Sequence, residues 1–251
     1  MNRKSTFLFL ALAFAFFTMR AQVNLQGFYD FGRKHVTTTL EMFKGDNWGS
    51  TFFFVDIDYN YRNDRKLAVA PSGAYLEFAR CLNFWQNTKA EGVNLHLEFD
   101  AGLGIFKTPL LDNCGYPINN ACLGGLNYCW HNSDYRYVLN FEVLYKYIFD
   151  VKTILPMQLT FVWTCKDIFK VKGLQFSGFV DCWWQNQQFT AKDGKITDTK
   201  CVILSEPQIW YSIGQWFHCE NLNIGGEVEL SYNFANAGFR CNPCVGLKWV
   251  F

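Results

Sequence analysis

Val93-Asn94-Leu95-His96-Leu97-Glu98-Phe99-Asp100-Ala101-Gly102-Leu103-Gly104-Ile105 decides the fold. Every odd position in this stretch is apolar, and every even one is polar or glycine. Successive side chains of a strand point to opposite sides, so a two-residue period describes a strand with one greasy and one wet face. The run is also long. Ordinary strands hold ~5–6 residues, whereas a tilted strand that crosses a bilayer needs ~9–11.

The same rhythm continues on both sides. Tyr135, Tyr137, Leu139, Phe141, Val143, Tyr145 and Tyr147 alternate with Arg136, Asn140, Glu142 and Lys146. Ile224, Val228, Leu230 and Tyr232 oppose Asn223, Glu227, Glu229 and Ser231. Phe239, Cys241, Val245, Leu247 and Trp249 oppose Arg240, Asn242 and Lys248, and Phe53, Val55, Ile57, Tyr59 and Tyr61 oppose Asp56, Asp58 and Asn60. Turn signals such as Gly45-Asp46-Asn47, Arg62-Asn63-Asp64, His131-Asn132-Ser133-Asp134 and Lys192-Asp193-Gly194 separate the runs. The pattern predicts about twelve strands in one all-β domain, with cores near 23–31, 35–44, 50–61, 73–85, 92–105, 118–130, 135–149, 157–168, 172–185, 201–213, 222–234 and 238–251. The pieces at 118–130 and 201–213 alternate least well. Loops are expected at 62–72, 106–117 and 186–200.

Composition narrows the class. Of 251 residues, 50% are hydrophobic, 19% aromatic and only 18% charged, which excludes a disordered chain. A net charge of +1 with no basic stripe argues against a nucleic-acid partner. Met1-Asn2-Arg3-Lys4 followed by the apolar run Phe7 to Phe17 reads as a signal peptide, too short for a spanning helix, with cleavage expected after Ala21. An uncleaved anchor is the alternative. Removing residues 1–21 takes away Arg3, Lys4 and Arg20 and no acid, which leaves 20 basic against 22 acidic side chains.

Export, strand length and the Tyr and Trp residues at run ends favour a transmembrane antiparallel up-and-down β-barrel over residues 22–251. The competing architecture is a soluble sandwich or lipocalin-like barrel, with the apolar face inward. In the transmembrane case apolar residues meet lipid, and polar ones line a lumen.

Ten cysteines allow five disulfides in an oxidising compartment. Cys165, Cys182 and Cys241 sit at positions where the alternation calls for a small apolar side chain. Cys241-Asn242-Pro243-Cys244 has chelate spacing, but strand residues three apart face opposite ways, so neither a metal nor a cofactor is expected.

Strand by strand, the acids assigned inward are Glu41, Asp56, Asp58, Glu77, Glu98, Asp100, Glu142, Asp181, Glu206, Glu227 and Glu229. The inward bases are Arg136, Lys146, Lys166, Arg240 and Lys248, so an acidic surplus remains. Phe52 and Phe54 fall beside Asp56 and Asp58, Tyr75 beside Glu77, Trp183 beside Asp181, and Trp210 beside Glu206 and Gln208. An aromatic plane next to a carboxylate suits a nucleoside. The base stacks at ~1–3 kcal/mol, and the carboxylate accepts hydrogen bonds from ribose hydroxyls or ring N–H groups. The same side chains also suit a lumen plugged by its own network.

His96 shares its face with Asn94, Glu98 and Asp100, which is an acid–base set that a barrel hydrolase or acyltransferase would need. The run has no nucleophilic Ser or Cys, and the Gly-x-Ser-x-Gly, Walker and His-Glu-x-x-His motifs are absent from the chain. His96 is therefore read as a lumen hydrogen-bonding residue in a protein that is not an enzyme.

Leu40-Glu41-Met42-Phe43 followed by Trp48-Gly49-Ser50-Thr51-Phe52-Phe53-Phe54-Val55-Asp56 resembles the nucleoside-specific channel-forming (Tsx-like) family of the outer membrane, or a closely related group of barrels. Tyr75-Leu76-Glu77 and Ser205-Glu206-Pro207-Gln208 are similar to strand motifs of that family. The closing Lys248-Trp249-Val250-Phe251 resembles the terminal strands of Gram-negative outer-membrane barrels, whose last aromatic residue is read by the assembly machinery. The resemblance implies a monomeric twelve-stranded barrel in the cell outer membrane. It implies passive diffusion of nucleosides through an aromatic- and acid-lined pore, with lipid, small polar solutes and, at Phe251, the assembly machinery as partners.

Overall fold

Where the sequence alternates, the chain is extended. The computed structural model describes residues 21–59, 71–106, 114–118, 120–190, 194–219 and 221–251. The signal segment as far as residue 20, Tyr61 and most of the 62–72 and 106–117 loops lie outside the described residues. Among the described residues fourteen strand segments form: β1 (Gln22–Asp30), β2 (His35–Asp46), β3 (Gly49–Tyr59), β4 (Pro71–Leu82), β5 (Val93–Phe106), β6 (Cys114–Pro117), β7 (Ala121–His131), β8 (Tyr137–Ile148), β9 (Met157–Lys166), β10 (Leu174–Thr190), β11 (Ile196–Ser205), β12 (Gln208–Ser212), β13 (Leu222–Tyr232) and β14 (Phe239–Val250).

These segments make twelve barrel strands. β6 and β7 lie end to end along β5, and β11 and β12 lie end to end between β10 and β13. Each strand pairs antiparallel with the next, β1 closes on β14 with Leu25 opposite Trp249, and β9 joins β10. Closure leaves no open sheet edge, which is the condition for β-structure inside hydrocarbon. Among the described residues no helix is long and apolar enough to cross a membrane.

Both interrupted strands coincide with the weakly alternating stretches. Pro207 has no N–H to give to a ladder. Around it the pairing is kept by Glu206 N–H and Ser205 Oγ donating to Phe179 O at 3.1 and 2.7 Å, and by Val228 N–H donating to Pro207 O at 3.0 Å. Between β6 and β7, Ile118 N–H donates to Gly102 O at 2.9 Å, while Gly102 N–H donates to Asn120 Oδ1 at 3.1 Å.

Two expected loops contain strand. Cys114–Pro117 extends the sheet along β5, and β10 with β11 forms a hairpin in which Gln187 faces Thr199. Gln185-Asn186-Gln187-Gln188 is polar on both faces and carries a register shift after Trp184, so no alternation marks it as strand.

An even strand number puts both termini at one end of the barrel. All five turns on that side carry an exposed aromatic side chain: Trp48, then Phe84 and Trp85, then Tyr135, Phe169, and Trp216 with Phe217. Such a belt suits a lipid headgroup layer. Between the ends, Leu25, Phe78, Phe99, Leu126, Val143, Leu159, Ile209 and Leu247 point outward and are exposed. Asn24, Gln26, Asn94, His96, Asn127, Glu142, Gln158 and Ser231 point inward and are buried. The apolar–polar distribution is thus reversed from that of a soluble barrel, which removes the sandwich and lipocalin-like alternatives.

Candidate functional site

The lumen wall is organised in three regions. On β12, β13, β14 and β1, one row of the sheet runs Trp210, Gly225, Gly246, Phe28. With no side chain on the two central residues, the flanking rings fold over them. A Cβ on Gly225 would lie 2.8 Å from the Trp210 ring, and one on Gly246 would lie 2.7 Å from Phe28. The rings meet with centroids 5.6 Å apart. Lys248 Nζ stands 4.2 Å from the Trp210 ring centre, and Trp210 Nε1–H donates to Gln208 Oε1 at 2.9 Å. Gln208 in turn donates to Glu227 Oε2 at 2.9 Å.

The end away from the termini holds an ion cluster. Arg33, in the turn after β1, reaches Asp30 and stands 3.2 Å from Glu229 Oε2. Burial opposes the charge on Arg33, but Glu229 and Asp30 outweigh it and hold the guanidinium pKa above its ordinary value. His35 Nε2 is 3.3 Å from Asp58 Oδ1, Thr37 Oγ1 donates to Asp58 at 2.6 Å, and Thr39 Oγ1 donates to Asp56 at 2.5 Å. Asn242 donates to Glu229 at 2.9 Å, while nearer the termini Asn24 donates to Glu41 at 2.8 Å.

The opposite wall centres on His96. Its Nε2 is 2.8 Å from Glu98 Oε2, and its Nδ1 is 3.4 Å from both Glu142 Oε1 and Cys81 Sγ. Asn127 donates to Glu142 at 2.8 Å and accepts from Asn94 at 3.0 Å. Lys146 donates to Gln158 at 2.6 Å and lies 3.6 Å from Asp100 Oδ2, while Thr160 donates to Asp181 Oδ1 at 2.5 Å. Two groups on this wall could hold a cation: His96, Glu98 and Glu142, and Glu77, Glu98 and Asp100. In each, one donor atom per residue lies within 4.8 Å of the others. Above them Ala121, Leu123, Leu144, Ile148, Trp183 and Val202 form an apolar cluster inside the barrel. Between the walls Phe52, Phe54 and Tyr75 make a ring ladder with centroid steps of 6.0 and 5.9 Å.

The residues singled out from sequence therefore divide. Phe52, Phe54, Tyr75, Glu77, His96, Glu98, Asp100 and Glu142 share one sector with Asp181, Asp56 and Asp58 belong with Arg33, and Glu41 is held by Asn24 and Gln26 on the neighbouring strand. Glu206, Gln208, Trp210, Glu227 and Glu229 gather along β11 to β13. Trp183 does not partner Asp181. It packs in the apolar cluster under Lys146, whose Nζ is 4.7 Å from the ring centre. Arg136, assigned to the lumen by its parity, sits instead in the turn before β8, exposed and 2.6 Å from Asp134. There Arg136 holds the Asp134 carboxyl below its usual pKa. Strand parity says nothing once the strand has ended.

Sequence reasoning missed Asp30, Arg33 and Cys81. Asp30 keeps phase with Asn24 and Gln26 and was legible on that ground. Arg33 lies in a turn without periodicity, and the role of Cys81 depends on its partner across the sheet, His96. Cys241 and Cys244 fall on opposite faces of β14, one exposed and the other donating its thiol to Asn242 O at 3.7 Å. Elsewhere Cys182 and Cys201 bring their sulfur atoms to 3.8 Å across β10 and β11.

A family profile described as "Domain of unknown function (DUF5020)" matches residues 22–251. None of the curated proteins matches the sequence. Among solved structures, the NanC porin is similar over 90% of this chain and 98% of its own, at 8% identity and a TM-score of 0.51. Omp33 of Acinetobacter baumannii aligns over 93% of this chain and 98% of its own, at 13% identity and a TM-score of 0.40. The NanC likeness shows the fold, a porin-type barrel.

Proposed function

From the premise that this chain belongs to the DUF5020 family, we propose that it is an outer-membrane channel for the passive diffusion of small polar solutes. One observation carries this reading: the lumen wall holds a surplus of carboxylates. Glu41, Asp56, Glu77, Asp181, Glu206 and Glu227 face inward in addition to the acids paired with Arg33, His96 and Lys146. An acidic lumen attracts cations and repels anions, and its carboxylates accept hydrogen bonds from neutral polar solutes.

Nucleosides are the proposed solute class. The ladder of Phe52, Phe54 and Tyr75 offers stacking faces beside Glu77, whereas Trp210 is fully buried with Phe28 and Lys248 against its ring. No cofactor enters this reading, and passage is down the gradient. The proposed partners are lipid around the barrel, the solute inside it, and the assembly machinery at the exposed Phe251 ring. The proposed export step is cleavage after Ala21, next to the start of both β1 and the family match. The protein is proposed to act as a monomer.

A second reading has its own support. The apolar cluster of Leu123, Leu144, Ile148 and Trp183 and the buried chain from Asn94 through Glu142 fill much of one wall. In that reading the barrel is plugged and structural. Planar-bilayer recording on the refolded barrel separates the two. Channel function is expected to give cation-selective conductance that nucleosides block and sugars do not, with selectivity reduced in Glu227→Gln. Absence of any conductance from verified folded barrel would overturn it in favour of the plug.

A further inference from the structure

β10 and β11 reach further than the barrel that carries them. The β9 ladder ends with Gln158 opposite Trp183, and β13 meets β11 only along Ile203–Ser205. From Gln187 to Thr190 and from Ile196 to Thr199, the two strands pair only with each other among the described residues. A two-stranded hairpin in water is marginally stable at best. This one has little core of its own. Asn186, Gln188, Thr197, Asp198 and Lys200 are exposed, Phe189 is only half-buried, and Ile196 is 59% exposed. Side-chain links include Gln188 donating to Asp198 Oδ1 at 2.9 Å and, at the root, Asn233 donating to Cys201 O at 3.0 Å.

Two thiols sit where the hairpin leaves the barrel. Cys182 precedes the inward, buried Trp183, and Cys201 precedes the inward, buried Val202, so both cysteines lie on the outer face. Their Sγ atoms are 3.8 Å apart. Cys182 is opposite Ile203 and Cys201 is opposite Trp184, which makes the two cysteines diagonal neighbours. A register shift between Trp184 and Gln187 begins beside them, and such a bulge sharpens the local twist. Twist shortens one diagonal of a ladder. A disulfide bond is ~2.05 Å long, so each sulfur moves in by roughly 0.9 Å through side-chain rotation. Cys201 also borders an open notch of about 540 Å³ between β11 and the turn 233–238, where an oxidant has access.

We propose that Cys182 and Cys201 are joined by a disulfide that staples the root of this hairpin. The Cys201 thiolate attacks the disulfide of an exported dithiol oxidase and releases one of its sulfurs as a thiolate. The Cys182 thiolate then attacks Cys201 Sγ in the mixed disulfide and expels the second. Two electrons pass to the oxidase, and the two thiol protons of this chain end on its dithiol. The bond closes the loop from Cys182 to Cys201, which limits how far an opened hairpin can stray. The proposal rests on export, which the channel and plug readings share, and on neither account of the lumen.

Two preparations of the full-length protein test it, both alkylated without reductant before digestion. One is the outer-membrane fraction, alkylated at lysis. The other is barrel refolded in detergent and exposed to glutathione disulfide, which removes any dependence on export. Complete trypsin digestion places Cys182 in peptide 173–192 and Cys201 in peptide 201–240. The expected product in both preparations is these two peptides joined, and a phosphine should separate them. The link should vanish in Cys201→Ala and persist in Cys219→Ala, since Cys219 shares the second peptide. Limited digestion of the folded barrel should cut after Lys195 at least about tenfold faster once the bond is reduced. Heat-modifiable gel mobility shows that each variant is folded. Cys182 and Cys201 found alkylated or carrying glutathione, in place of the link, would overturn the proposal, as would either one paired with another cysteine. An unchanged cleavage rate on reduction would overturn the stapling role. Free thiols on protein that has reached the outer membrane would sink the disulfide and leave the channel reading standing.

Discussion

At the residue scale, glycine decides where the lumen can take aromatic rings. The row Trp210, Gly225, Gly246, Phe28 works because its two central positions carry no side chain. A Cβ on Gly225 would stand 2.0 Å from Ile209 O, a backbone atom that cannot yield without moving the ladder. Gly225→Val is therefore expected to destabilise the barrel by about 3 kcal/mol, at the upper end of overpacking costs. Urea unfolding in micelles, followed by tryptophan fluorescence, measures it. A cost near zero would mean that the ring does not lie over the glycine. The sequence shows Gly225 and Gly246 as small residues in alternating strands. It cannot show that they are neighbours, because their adjacency comes from register between β13 and β14. The same holds for Cys81 and His96, and for Arg33 and Glu229. Such pairs are created by the sheet and leave no trace along the chain.

At the element scale, parity proved to be reliable within strands and silent outside them. The sequence assigned Glu142 and Lys146 inward and Phe141, Val143 and Tyr145 outward, and β8 places them so. The failures come where alternation stops: Arg136 lies one residue before β8, and the polar run from Gln185 to Gln188 continues β10 without an apolar face. Register shifts such as the one after Trp184 reset the phase, and no hydrophobic pattern marks them in advance. For an outward residue in mid-strand the expectation is sharp. Val143 is 57% exposed on β8. Val143→Arg should cost about 2–4 kcal/mol in lipid, the range for a cation near the midplane of a barrel. The measurement is reversible folding into vesicles under denaturant. A cost below 1 kcal/mol would place β8 outside the hydrocarbon layer.

At the scale of the whole molecule, twelve strands closed upon themselves satisfy the backbone, and the two faces then separate two solvents. Outward rows such as Leu126, Val143 and Leu247 are exposed, whereas inward Asn127, His96 and Gln26 are buried among hydrogen bonds. Tryptophan reports this division directly, since Trp130 and Trp249 are exposed on the outer face and Trp183 and Trp210 are buried within. The decisive measurement is fluorescence of single-tryptophan variants of the refolded barrel in vesicles of brominated lipid. Bromine should quench Trp130 and Trp249 strongly and leave Trp183 and Trp210 bright. Quenching of Trp183 and Trp210 with Trp130 and Trp249 spared would contradict the assignment of lipid outside and a polar lumen within.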